Sequence, residues 1–325
     1  MNAGSSCPYE VYEGFFTKNP QKEILIVVHS LFYIVDIYCL VHIHKFLKPR
    51  DPEHRLTAFN FVCWLYVNDV FLSILVIPNL HFPLLSANVD GLLTYIGIPP
   101  FVAGFILIDV IIVTLLCGMI QLEARRQALL PNDHFLKVHT GRCFKFILFH
   151  TPLCIAFPVV CCLAKKNQEL LRREVLMTSQ CIPKNFDFPN FFMIANDLPT
   201  KFCIIFTVTF FFIEFTSNVA HSYYLLIIKK NYITSENTKR TQIEAFKFMA
   251  LQASFPIFAS IIPFAYFIFS IISGYANENL NDIFTKVISS HGTITIIGTY
   301  IYTQRQKKKK KVVILPVKLK SSGQH

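Results

Sequence analysis

The chain has 325 residues, of which 53% are hydrophobic and 16% charged. Soluble domains carry about 25% charged residues, and 33 Phe with 13 Tyr exceed what one aqueous core can hide, so lipid is expected as part of the solvent. The net charge of +11 admits either nucleic acid or an acidic membrane surface as partner, and placement has to decide.

Residues 1–22 are polar, contain Pro8 and Pro20, and lack the apolar run of a secretory signal. They read as an extracellular segment, and the first span must act as the signal. Windows of about 20 apolar residues, enough to cross ~30 Å of hydrocarbon, follow at 23–46, 56–78, 96–121, 144–163, 202–228, 247–273 and 281–303. The fourth carries Pro152 and Pro158. The sixth carries Pro256 and Pro263, which are candidate hinges because each removes a helix hydrogen bond. The seventh is the least apolar and is read as a span because a polar bundle interior suits its Thr and Ser. Residues 304–325 form a basic tail.

Lys and Arg set the orientation. The first, third and fifth connections and the tail are rich in them, with Lys45, Lys48, Arg50 and Arg55 around the first. The second and sixth connections carry none, and the long fourth mixes them with acids. The alternation predicts an N-terminus outside and a C-terminus in the cytoplasm, which requires an odd number of spans. Lys307 to Lys311 then form the inner stop of the seventh span and a patch for anionic lipid. Nucleic-acid binding would need exposed aromatics among the basic residues; here the aromatics sit in the spans and the basic residues outside them.

Asp36, Asp69, Asp109, Glu214 and His291 fall near the middle of their spans. Charge at that depth is costly, so these residues should face the interior, either lining a polar cavity or hydrogen-bonding between helices. At the end of the third span, Glu123, Arg125 and Arg126 could pair with the fifth and sixth spans. Enzyme signatures are missing: His42 and His44 are too close in sequence to share a helix face, and there is no H-x-x-x-H, G-x-S-x-G, P-loop or Cys-x-x-Cys. No metal, cofactor or catalytic role is expected. Cys7 and Cys181 lie on the expected outer side, where a disulfide or two free thiols are both open.

Four stretches carry a family resemblance: "NDVFLSILVIPNLHFPLLSANVDGLLTYIGIP" (68–99), "CIPKNFDFPNFFMIANDLPTKF" (181–202), "TSENTKRTQIEAFKFMALQASFPIFASIIPFAYF" (234–267) and "NLNDIFTKVISSHGTITIIGTYIYTQR" (279–305). Their order and spacing resemble the nematode serpentine chemoreceptors of the Str superfamily, most closely class H, with class I as the neighbouring alternative. Two places depart. Glu123-Ala124-Arg125 stands where that family often has Glu-Asn-Arg, and Tyr302-Thr303-Gln304-Arg305 stands where it often has Pro-Tyr-Arg.

The resemblance implies an all-α, seven-transmembrane-helix receptor in the plasma membrane of sensory neurons, in their cilia. It would detect a small environmental chemical and act through a heterotrimeric G protein. By depth in the spans, Phe105, Asp109, Thr209, Tyr266, Ser289 and His291 are the candidate ligand lining. Glu123, Arg125, Arg126, Lys229, Lys230, Lys239 and Arg240 are the candidate G-protein side. The rival expectation is a ligand-gated channel or transporter using the midplane carboxylates. It lacks an inverted repeat or matched broken helices.

Overall fold

The computed structural model describes residues 20–47, 52–130, 134, 136–138, 145–152, 168–171, 173, 189–194, 198–228, 236–275 and 277–320. Its helices are α1 (Pro20–Leu47), α2 (Pro52–Val70), α3 (Pro100–Leu129), α4 (145–152), α5 (Leu198–Tyr223), α6 (Glu236–Ser273) and α7 (Glu278–Lys320). The first three begin on proline, whose missing N–H goes unused at a first helical position. A π-turn ends α2 at Phe71–Leu75 and another ends α5 at Tyr224–Ile228. One helical turn, Leu92–Tyr95, precedes α3. α6 runs helical through both Pro256 and Pro263.

Among the described residues, five stretches are long and apolar enough to cross a membrane: Val27–Leu47, Arg55–Leu75, Pro100–Leu129, Leu198–Leu226 and Gln242–Ser273. Of the expected window 144–163, only 145–152 lies within the described residues. The expected seventh window lies inside α7. Its lower hydropathy has a structural reason: Thr295, Thr299 and Thr303 are all fully buried. Their spacing of four places them on one helix face; Thr295 and Thr303 return their hydroxyls to the carbonyls of His291 and Tyr300 at 2.7 Å each, while the Thr299 hydroxyl meets no partner among the described residues.

α7 packs against α1, α2 and α6, while α2 also packs along α3, and α3 along α5. Ile43, Leu47, Ala58, Val62, Phe248 and Ile296 join α1, α2, α6 and α7 in one core cluster. Met119 and Leu122 of α3 meet Phe211 of α5 and Met249 of α6 in another. In lipid these contacts gain little from the hydrophobic effect, so close packing and interhelical hydrogen bonds have to hold the bundle.

One end of the bundle is capped by a small antiparallel sheet of β1 (Pro78–His81), β2 (Ser86–Val89) and β3 (Phe191–Met193), in that order. Leu80 pairs with Ala87 and Ala87 with Phe192, so these three share a face. That face packs on Leu72, Val76, Ala103 and Leu107 of the helices. The free edge of β3 is met by Gln168, whose side-chain amide exchanges two hydrogen bonds of 3.0 Å with the Met193 main chain, as a fourth strand would. The hairpin turn is tied down by Asn281 of α7, which donates to the Phe82 carbonyl at 3.4 Å, and by the Phe82 ring stacked on Phe267 of α6 at 4.3 Å. This is the sheet end; the opposite end, near Arg125 and Arg305, is the basic end.

Candidate functional site

The densest buried polar cluster joins α1, α2 and α7. Asp69 of α2 is 1% exposed. Its carboxylate accepts the main-chain N–H of Gly292 at 3.2 Å and of Thr293 at 2.6 Å. In a regular helix those amides serve the carbonyls of Ile288 and Ser289. Both carbonyls also meet side-chain donors: His291 Nδ1 bonds to Ile288, and Ser73 Oγ of the α2 π-turn reaches Ser289 at 3.5 Å. α2 is thereby keyed into the backbone of α7 at Gly292 and Thr293.

α1 joins through two contacts. Tyr33 donates its hydroxyl to the Asp69 carbonyl at 2.9 Å, and Thr293 Oγ1 donates to Asp36 Oδ2 at 2.8 Å. Asp36 is fully buried, and its second oxygen, Oδ1, meets no donor. His291 Nδ1 lies 3.7 Å from Asp69 Oδ1. The approach depends on Gly292: a Cβ there would lie 2.6 Å from Asp69 Oδ1. The Asp69 carboxylate is therefore held by two main-chain amides and the Asp36 carboxylate by one hydroxyl, with one imidazole at their edge.

Toward the basic end, α3 is tied to α6 twice. Gln121 Nε2 donates to Gln252 Oε1 at 2.7 Å in a fully enclosed position, and Arg125 donates to the Gln242 carbonyl at 2.9 Å. Glu123 pairs with Arg126 on its own helix at 2.7 Å rather than across to α5 or α6, and also accepts from Gln127 at 2.6 Å. Lys137 caps α3 by donating to the carbonyls of Gln127 and Leu130 at 2.6 and 2.8 Å. Glu244 of α6 accepts from Gln306 of α7 at 2.9 Å. A third tie links α4 to α5, where His150 Nε2 meets Glu214 Oε2 at 2.7 Å while Nδ1 meets the Phe146 carbonyl at 2.8 Å. Nδ1 must donate to that carbonyl, so one further proton lies between imidazole and carboxyl, and the pair is neutral overall.

Of the residues expected to line a ligand site, the structure places Ser289 and His291 in or beside the α1–α2–α7 cluster. Tyr266 lies near the sheet end of α6, donating to the Asn277 carbonyl at 3.2 Å. Phe105 is half-buried on α3, stacked edge-on to Phe101, while Asp109 and Thr209 are exposed on α3 and α5. These last three are not in contact with the cluster. Of the expected G-protein side, Glu123, Arg125 and Arg126 sit together at the basic end of α3. Lys229 and Lys230, the side chains of Lys239 and Arg240, and both Cys7 and Cys181 lie outside the described residues. Sequence reasoning picked Asp36, Asp69, Glu214 and His291 but missed Tyr33, Ser73, Thr293, Gln121, Gln252 and His150. Gly292 was the available signal, because glycine inside a helix is about 1 kcal/mol worse than Ala and needs a packing reason.

An all-α bundle of long apolar helices, keyed together by buried polar groups at mid-depth, is a polytopic membrane protein. The family model described as "Serpentine type 7TM GPCR chemoreceptor Srh" matches residues 24–308, and the chain belongs to that family, class H of the nematode Str superfamily. Its members are seven-helix receptors and not enzymes. A comparison with curated proteins finds no match.

Proposed function

We propose that this chain is a chemosensory receptor that binds a small environmental chemical within its helix bundle and signals to a heterotrimeric G protein. The sheet end faces outward and the basic end faces the cytoplasm of a sensory neuron, where the receptor sits in the plasma membrane of the cilium. The observation that carries the reading is the paired set of α3–α6 ties, Gln121 to Gln252 and Arg125 to the Gln242 carbonyl. Such ties hold the basic ends of two helices together in one arrangement. A ligand that binds better to a second arrangement shifts the balance by its differential affinity, and by no more than that. The rest of the expected lining, Phe105, Asp109, Thr209 and Tyr266, with Ser289 and His291, belongs to this proposal. So do the cytoplasmic contacts of Glu123, Arg125, Arg126, Lys229, Lys230, Lys239 and Arg240.

The test is calcium in cells expressing the chain, challenged with pooled volatile and water-soluble chemicals with and without a G-protein blocker. A blocker-sensitive response is expected. A response that survives the blocker and is carried by membrane current would overturn the reading in favour of a ligand-gated channel.

A further inference from the structure

The sheet end holds a feature that neither the polar cluster nor the α3–α6 ties use. Phe192, in the middle of β3, points its ring into the helix bundle. It is buried, and the ring tip faces Gly104 of α3 so closely that a Cβ there would lie 2.5 Å from Cζ and 3.0 Å from Cε1. Leu72 and Val76 of the second span, Ala103 and Leu107 of α3, and Ile288 of α7 complete the surround. Each helix that contributes to it supplies apolar side chains.

The ring belongs to a strand that reaches this place from a long connection. It is suspended there by β2, by the Gln168 amide on Met193, and by Ile194 N–H on the Leu85 carbonyl at 3.0 Å. We propose that Phe192 is a tethered occupant of a ligand site. The notch between α2, α3 and α7 takes a small, uncharged, apolar molecule about the size of one aromatic ring, which competes with the Phe192 ring for it. Exclusion of charged ligands follows from the lining, since a buried charge there would have no partner.

The site also has a route to the polar cluster. Ile288 packs its side chain against this apolar group, while its carbonyl takes His291 Nδ1 beside Asp69. A ligand that replaces the ring of Phe192 bears on the segment of α7 that Asp69 holds. That step of the proposal rests on the receptor reading above; binding itself does not.

The test uses the full chain purified in lipid nanodiscs, with toluene as the probe and thermal unfolding as the readout. Phe192→Ala empties the notch, and apolar cavities of this kind stay dry and take up aromatic hydrocarbons. Toluene at ten times its Kd should raise the unfolding temperature of Phe192→Ala by about 3 °C. It should raise that of the wild type by clearly less, because the native ring competes. Benzylamine, charged at neutral pH, should give no shift. Phe192→Leu, a gentler change, should respond in the same direction by a smaller amount, which covers the case where the alanine variant does not fold. Absence of any toluene shift in the folded variants, or an equal shift in wild type and variants, would overturn the proposal. A silent calcium assay beside an intact toluene shift would count against the receptor reading alone.

Discussion

The carboxylate of Asp69 accepts the main-chain N–H of Thr293 at 2.6 Å, across the interface between α2 and α7 and inside a 43-residue helix. A side chain from one helix thus engages a main-chain amide inside the other. The consequence is positional. α7 cannot slide or rotate against α2 without giving up the Gly292 and Thr293 bonds together, and Asp36 holds the same Thr293 from α1.

Gly292→Ala tests how tightly this fit is set. Helix propensity alone would favour alanine by about 1 kcal/mol. The added Cβ would lie 2.6 Å from Asp69 Oδ1, and overpacking of this kind costs about 1–3 kcal/mol. The steric effect should win, and the variant should unfold at a lower temperature than wild type in detergent. A variant as stable as wild type or more so would mean that Asp69 is not seated against α7 as described.

Thr293→Val keeps the shape of the side chain and removes the hydroxyl that serves Asp36. Asp36 Oδ2 would lose its donor while Oδ1 already has none, leaving a buried carboxyl without a hydrogen bond. The expected loss is about 1–3 kcal/mol of stability. Thr293→Ser should recover most of it, and thermal unfolding of the two variants side by side reads the difference.

The Gln121–Gln252 contact calls for a double-mutant cycle. Each single change to Leu strands the other amide in an enclosed position, which should cost about 1–3 kcal/mol. Changing both removes the stranded group, so the double variant should be more stable than the sum of the singles predicts. Additive losses would show that the two amides do not depend on each other.

Arg125→Ala removes the tie from α3 to the Gln242 carbonyl of α6. If that tie holds the resting arrangement, the variant should raise G-protein output in the absence of ligand, measured as basal calcium at matched surface expression. Arg126→Ala, which breaks only a pair within α3, should change basal output less.

Much of the frame was legible in the sequence. Apolar run length marks helices that cross lipid, and α1, α2, α3, α5 and α6 each overlap one expected window, although α2 with its π-turn ends at Leu75 rather than 78 and α3 runs from Pro100 to Leu129 rather than 96–121. The seventh window, read as a span because a polar interior suits its Thr and Ser, lies inside α7 but is not among the five stretches apolar enough to cross a membrane, and its Thr295, Thr299 and Thr303 are buried. Depth along the spans also picked out Asp36, Asp69, Glu214 and His291 as residues needing partners, but it picked out Asp109 as well, which is exposed on α3 rather than facing the interior.

The partners themselves were not legible. Which helix meets which is a tertiary matter, and nothing local in α7 says that its main chain at Gly292 and Thr293 will serve a carboxylate more than 200 residues earlier. The cap was hidden for a different reason. Its strands are three or four residues long, too short for a two-residue period to stand out, and β3 finds its partner from a distant connection. Gly104, like Gly292, hinted at a close approach without naming Phe192.

The most direct measurement is nucleotide exchange on a purified heterotrimeric G protein, catalysed by the purified chain in nanodiscs, with and without a ligand found in the cell assay. The account predicts faster exchange with ligand, and ligand-independent exchange in Arg125→Ala. A ligand that opens a membrane current in the same preparation while leaving exchange at its basal rate would contradict it.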